Sequence, residues 1–283
     1  MRVTNVGLYS ANFAEPITFS LRDADPSAQY MVRTIIGLDA EELVPKFYGF
    51  GATNTKSRLY DIGMKPRDIV IRVVLKPRFN LDESYSDIRD DLYRAISATR
   101  TGAITLHFNS GATTVARISG FITKFEVPYF ARTPEVQLTV RCNDPIFRAL
   151  NPVSYLPAEL KTVNPIIIPD SLSTAPHGFT MRVTFKATAA YFNVQDTASN
   201  PEWTFKVTPS GGFLSGDVLY FSSEFSDKYL YMIRSSVTTH LVDKINPGSV
   251  WPIIFPGANN FHFSQIASFN WNSLEYYAAY WGV

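Results

Sequence analysis

The sequence predicts a mainly β protein of two domains, with a single packed helix in the first. Three observations carry this. Apolar and polar residues alternate with period two through much of residues 104–142 and again from residue 178 onward, as in strands with one buried face. One stretch, near residues 84–97, instead places apolar residues at helical spacing. Finally, 283 residues exceed the ordinary size of one domain, and prolines crowd the middle of the chain. The expected domains are residues 1–155, β-rich with the helix, and residues 156–283, all β.

Composition narrows the function classes. Hydrophobic residues make up 46% of the chain, enough to argue against extensive disorder. Aromatics reach 14%, chiefly Tyr and Phe, which favour strands and interfaces. A formal net charge of +1 gives no strong field to gather nucleic acid or an acidic membrane. Cys142 is the only cysteine, so no intrachain disulfide forms, and a reducing compartment fits. Met1-Arg2-Val3-Thr4-Asn5 has neither the apolar core nor the cleavage site of a secretory signal. No apolar run approaches the ~20 residues of a membrane span. Folding in the cytoplasm without a membrane partner is the expectation.

Residues 1–68 carry the weakest patterns. Ser10 to Ser27 reads as irregular, Met31 to Leu38 as one strand, and Glu41 to Pro45 as a loop or broken turn. Gly49 to Ser57 has the composition of a flexible loop. Ile69 to Leu75 is apolar on both faces apart from Arg72, which predicts a strand buried on both sides and stopped by Lys76-Pro77. Ser84 three residues before Asp87 resembles a capping box. Ile88, Leu92 and Ile96 form the apolar face of the helix that follows, and Asp90 and Arg94 are placed to pair on its exposed face. Gly102 is placed to help end it.

Ile104, Leu106 and Phe108 then oppose Thr105 and His107, with a turn at Asn109-Ser110-Gly111. A second run contains Val115, Arg117 and Ile118. Gly120 reads as a strand break, after which Phe121, Thr123, Phe125 and Val127 share one face. Val136, Leu138, Val140 and Cys142 oppose Glu135, Gln137, Thr139 and Arg141. Leu150 to Ser173, with Pro152, Pro157, Pro165 and Pro169, is the domain boundary, and Ile166 to Ile168 the first strand beyond it. Phe179, Met181, Val183 and Phe185 alternate with polar neighbours, as do Trp203, Phe205 and Val207. Shorter runs at 218–221, 229–233, 253–255 and 261–266 are separated by Pro209-Ser210-Gly211-Gly212, Asn246-Pro247-Gly248 and Pro256-Gly257. Many short strands at this spacing predict a sandwich or barrel.

No residue set specifies a reaction, and no catalytic, cofactor or metal site is expected. Gly51 to Ser57 loosely resembles a phosphate loop, but Thr55 stands where that motif needs glycine before Lys56, and no clear helix follows. His107, His177, His240 and His262 lack partners at metal-ligand spacing. Ser215 misses the spacing of a nucleophile elbow. Cys142 reads as a buried structural thiol. All four tryptophans, Trp203, Trp251, Trp271 and Trp281, lie beyond residue 200. Trp203 reads as core, whereas Trp271 and Trp281, with Tyr276, Tyr277 and Tyr280, are expected to face a neighbouring subunit. Arg89, Arg94, Lys124 and Arg141 are expected in salt bridges between subunits, in solvent, or along a conduit for DNA. The first 150 residues hold 19 basic and 16 acidic residues, too even a balance for a nucleic-acid face.

The middle stretch resembles the distal tail protein family of long, non-contractile-tailed phages. The residues that carry it are Arg72 to Pro77, Ser84 to Ile96, Gly120, and Val136 to Phe147 with Cys142-Asn143-Asp144-Pro145. Gly216-Asp217-Val218, Phe255 to Asn259 and Tyr280-Trp281-Gly282-Val283 extend it through the second domain. The resemblance implies an N-terminal domain that assembles into a homohexameric ring and a C-terminal galectin-like β-sandwich that projects outward. It further implies a virion protein, without cofactor or enzymatic activity, that joins the tail tube to the tail tip, baseplate or receptor-binding proteins. DNA would pass through the lumen without specific binding. The alternative reading is a carbohydrate-binding module for host surface glycans, using the Trp- and Tyr-rich second domain.

Overall fold

The structure is a computed structural model. It describes residues 3–11, 15–21, 25, 27–39, 43–48, 58–77, 84–98, 102–127, 134–155, 164–196, 203–225 and 227–283, with the backbone alone at 43–48, 58–64 and 203. Its contacts divide it into two units: Met1–Pro45 with Ile62–Leu150 and Tyr280–Val283, and Lys46–Asp61 with Asn151–Ala279.

In chain order the first part comprises β1 (Asn5–Tyr9), β2 (Ile17–Leu21), β3 (Tyr30–Ile36), β4 (Leu43–Tyr48), β5 (Arg58–Met64), β6 (Arg67–Leu75), α1 (Tyr85–Ala98), β7 (Ile104–Ser110), β8 (Thr113–Glu126), β9 (Glu135–Cys142) and β10 (Phe147–Arg148). β2 lies inside the segment expected to be irregular, and β4 runs through Leu43, Val44 and Pro45, where a loop was expected. Among the described residues, β4 and β5 pair only with each other. The expected loop at 49–57 lies outside the described residues.

Seven strands of the first unit close into a barrel in the order β8-β7-β1-β2-β3-β6-β9, with β9 returning to β8. All pairs are antiparallel except β2–β3, a short parallel junction. Closure depends on β8, which is long enough to serve two neighbours. Thr113 to Gly120 pair with β7, and Phe121 to Glu126 pair with β9. Gly120 is therefore no strand break but the handover point. A Cβ there would stand 2.6 Å from the Arg141 carbonyl oxygen and 2.9 Å from Cys142 Sγ, so only glycine permits this approach. A bulge between Ile122 and Lys124 then shifts the facing of β8. Ile122 and Phe125 pack against the core while Phe121 is exposed, unlike the single face expected for Phe121, Thr123 and Phe125.

The barrel interior is lined by Val6, Leu8, Phe19, Ile104, Leu106, Phe108, Val136, Leu138 and Val140, all buried. β6 is buried on one face only: Arg67, Ile69, Ile71, Val73 and Leu75 point inward, and Asp68 and Arg72 are exposed. The expectation of two buried faces fails because Val70 and Val74 on the other face are only half-covered. α1 packs Ile88, Leu92 and Ile96 into the same core. Its start is the anticipated box: the Ser84 amide donates to Asp87 Oδ2 (2.9 Å) and the Asp87 amide to Ser84 Oγ (3.3 Å).

Arg67 is the unexpected member of this interior. It is fully buried at the head of β6, and period two aims it inward with the isoleucines. Nη1 donates to the Gly37 carbonyl (3.0 Å), Nη2 donates to the Trp281 carbonyl (2.8 Å), and the guanidinium lies 4.6 Å from the Phe147 ring centroid. Gly37 turns the chain out of β3 at φ 91°, with Asp68 O only 2.3 Å from where a Cβ would sit. One side chain thus fastens the exit of β3, the start of β6 and the segment Tyr280–Val283.

The second unit contains β11 (Val153–Tyr155), β12 (Ile166–Asp170), β13 (Thr180–Phe185), β14 (Phe192–Asp196), β15 (Trp203–Val207), β16 (Val218–Glu224), β17 (Asp227–Arg234), β18 (Val237–His240), β19 (Gly257–Ser264) and β20 (Phe269–Tyr276). A final strand, β21 (Ala279–Tyr280), joins β10. Two sheets, β11-β20-β13-β16-β17-β18 and β12-β19-β14-β15, share one core and form a sandwich. Aromatic rings meet across it: Phe205 on Phe221 (5.2 Å), Phe263 on Trp271 (4.9 Å) and Phe192 on Phe269 (6.0 Å). β11 precedes the strand expected to open this domain. The expected strand at 253–255 is a single bridge from Ile254 to His177.

Replacing Arg67 by Met roughly keeps the volume and leaves the partly buried Gly37 and Trp281 carbonyls without this donor. Hydrogen bonds from a charged donor are each worth ~1.5–3 kcal/mol, so we expect a loss of about 3 kcal/mol in urea unfolding. A loss under about 1 kcal/mol would contradict the role given to this residue.

Candidate functional site

The residues singled out by type and spacing are mostly taken up by the fold. Cys142 faces Gly120 inside the barrel, and burial pushes its thiol up to about 12 against the opposing pull of Arg67, so it is inert near neutrality. His107 stacks on Tyr9 at 4.0 Å on the barrel wall. Partial burial, then the Arg117 cation, holds it below the usual histidine range. Among the described residues, no group of three or more His, Cys, Asp or Glu stands close enough to hold a metal ion.

His177 is fully buried, which its spacing did not foretell. Its Nδ1 donates to the Gly178 carbonyl (2.9 Å), its Nε2 faces Asp170 Oδ2 (2.9 Å), and its ring stacks on Tyr276 at 4.9 Å. Asp170 Oδ1 also accepts the Ser173 amide at 3.1 Å. The pair ties the end of β12 to the approach to β13. With both side chains fully enclosed, it is a structural pair rather than a reacting one.

The loop around Ser215 is held in the same manner. Asp217 Oδ2 accepts the Leu214 amide (2.7 Å) and Arg234 Nη2 (2.6 Å), and Arg234 Nη2 donates to the Gly212 carbonyl (2.7 Å). Burial pushes the Asp217 carboxyl up, but these hydrogen bonds outweigh it and hold it below the usual carboxylate range.

The tryptophans and tyrosines expected at a subunit surface are largely interior. Trp271 is core, set edge-on to Phe263 and Phe269, and Tyr276 is buried. Tyr280 packs against the barrel core, and the Trp281 carbonyl is held by Arg67. The Trp203 side chain lies outside the described residues.

The basic residues considered for subunit contacts or a DNA conduit have acidic partners in their own chain. Arg89 pairs with Asp90 (2.8 Å), Arg94 with Asp91 (3.4 Å), Lys124 with Glu126 (2.8 Å) and Arg141 with Asp68 (3.8 Å). The expected Asp90–Arg94 pair is replaced by these neighbours. Such exposed pairs are worth about 0–1 kcal/mol each and leave no concentrated positive field.

Two surfaces remain. On the barrel, β8 continues past Gly120 with only β9 beside it among the described residues, and Phe121 there is 47% exposed. Tyr93 of α1 meets Phe125 at 5.3 Å and is itself exposed. On the sandwich, Ser273, Arg182, Tyr220, Tyr231 and His240 stand in one register row across five strands. Arg182 covers one face of Tyr220 (5.1 Å), Tyr231 stacks on the other (4.8 Å), and His240 meets Tyr231 edge-on (6.1 Å). These rings are packed against one another along the row.

No family model matches the chain, and no curated protein matches it either. Among solved structures, the Dit protein of phage SPP1, described as a paradigm of the hub of the adsorption apparatus in phages infecting Gram-positive bacteria, aligns with a TM-score of 0.58 at 12% identity. The alignment covers 89% of this chain and 93% of that one. Chains of the phage p2 baseplate in its activated conformation align at a TM-score of 0.45. With strontium the identity is 9%, covering 98% of both chains; with calcium it is 8%, covering 99% of this chain and 98% of that one. The SPP1 likeness shows a shared fold: a β-rich unit with a helix followed by a β-sandwich.

The Asp217–Arg234 pair yields a pH prediction. A carboxyl depressed in the folded state contributes stability that is present above its unfolded value and lost as pH falls through its folded value. Asp217→Asn should therefore destabilise the protein in urea at pH 7, and the gap to wild type should narrow below about pH 4. A gap independent of pH would contradict this.

Proposed function

We propose that the chain is a structural protein of a phage tail tip. Six copies close into a ring that joins the tail tube to the tip or baseplate and leaves a lumen for DNA. The observation that carries this reading is the fold shared with the SPP1 hub protein along 89% of the chain. In this reading the barrel unit forms the ring, and the sandwich unit is available to baseplate or receptor-binding proteins. The location is the tail of the virion, and the role is adaptor rather than enzyme.

The geometry supports a particular manner of assembly. A closed barrel has few free strand edges, so ring contacts cannot run all around the domain. The outer side of β8 beyond Gly120 is such an edge, and exposed Phe121 stands on it. We assign the subunit contact to this stretch, Phe121 to Glu126, with Tyr93 beside it. Cyclic closure requires a second, different patch on each neighbour, as in any head-to-tail ring. DNA in the lumen would meet paired charges, which fits passage without specific binding.

Light scattering on the purified protein should give a mass near six protomers, and Phe121→Asp should shift it toward one protomer with the unfolding transition unchanged. A wild-type protein that stays monomeric at high concentration would overturn the ring. A variant that keeps the full mass would overturn the contact assigned to β8.

A further inference from the structure

A small cleft opens where the turn between β16 and β17 meets the irregular segment Ser249 to Ile253. Its volume is about 190 Å³, and Trp251, Phe225 and Lys228 line it. Trp251 lays its indole on the sandwich core, tilted against Phe205 (5.0 Å) and Phe221 (5.6 Å). Lys228 Nζ lies 5.8 Å from the ring centroids of both Trp251 and Phe225. That is the far limit of a cation–π contact, so the ammonium is only loosely held. Ser223 and Ser249, also in the lining, are already engaged by the amides of Phe179 and Lys206, each at 3.1 Å. Lys228 has no carboxylate partner among the described residues, unlike Arg89, Arg94, Lys124 and Arg141. In the β16–β17 register Lys228 stands opposite Ser223, and Glu224 opposite Asp227.

The cleft therefore offers two aromatic walls and one cation without a carboxylate partner among the described residues. Its volume is below the ~300 Å³ at which drug-sized sites begin, which limits the occupant to about one ring. Peptides dock by lengthening a sheet or by laying a helix in a long groove, and a pit of this size serves neither. We propose that it binds the carboxylate-bearing pyranose ring of an acidic saccharide. The apolar C–H face of the sugar rests on Trp251 and Phe225, and the carboxylate takes a charge-assisted hydrogen bond from Lys228 Nζ. The site lies wholly within the sandwich, so it does not depend on ring assembly.

The test uses the full chain and two oligosaccharides that differ only in their terminal unit, glucuronic acid or glucose. Calorimetry should show saturable binding of the acidic one, weakened by added salt, and at least about tenfold weaker binding of the neutral one. Lys228→Met should weaken binding of the acidic ligand by about tenfold or more, and Lys228→Arg should restore most of it. Lys228 is exposed, so both variants should keep the wild-type near-ultraviolet circular dichroism. Equal binding of the two sugars, no saturable binding at millimolar ligand, or binding indifferent to Lys228→Met would each overturn the proposal. So would binding of an acidic peptide to the Lys228 site by a protein that ignores the acidic sugar. None of these results depends on the mass of the assembly.

Discussion

One strand has to serve two neighbours, and the first unit depends on it. β8 leaves β7 and takes up β9 at Gly120, where the Arg141 carbonyl and the Cys142 sulfur come too close for any side chain. That approach turns a sheet into a closed barrel. It also buries Cys142 so fully that its thiol plays no part in chemistry near neutral pH. Arg67 completes the construction from the other side by fastening the exit of β3 and the segment around Trp281 to the head of β6.

Closure has a consequence for assembly. An open sheet exposes its edges to any passing strand, whereas a barrel exposes them only where the register runs out. Past Gly120 it runs out on one side of β8, and the exposed Phe121 stands there. The ion pairs of Arg89, Arg94, Lys124 and Arg141 are internal to the chain and leave no strongly charged wall. The sandwich spends its aromatic surplus mainly on its own core and on a self-stacked row of tyrosines. Lys228 beside Trp251, without a carboxylate partner among the described residues, is the local exception.

What the sequence made legible follows from where the physics is local. The helix over 84–97, its cap at Ser84 and Asp87, and the inward faces of β7, β9 and β13 are short-range patterns, and the structure contains them. β20 was hidden because a bulge opposite Arg182 and Val183 slips its phase, so Phe269 and Trp271 share a face with Leu274 and Tyr276 at broken spacing. β18 was hidden because every one of its residues is exposed. Gly120 has the composition of a break, and only its tertiary neighbours explain why the strand runs on. Arg67, His177 with Asp170, and Asp217 are buried polar groups whose partners lie up to 214 residues away, beyond any pattern of spacing. Arg67 alone left a trace, standing in phase with Ile69 and Ile71 on an apolar face.

The functional reading rests on a shared fold and on the surface that this fold leaves unpaired. Electron microscopy of the assembled protein tests it most directly. The account predicts closed particles of six-fold symmetry with an open lumen, their barrels in contact along β8 beyond Gly120. Open filaments, closed particles of another symmetry, or rings joined through the sandwiches would contradict it.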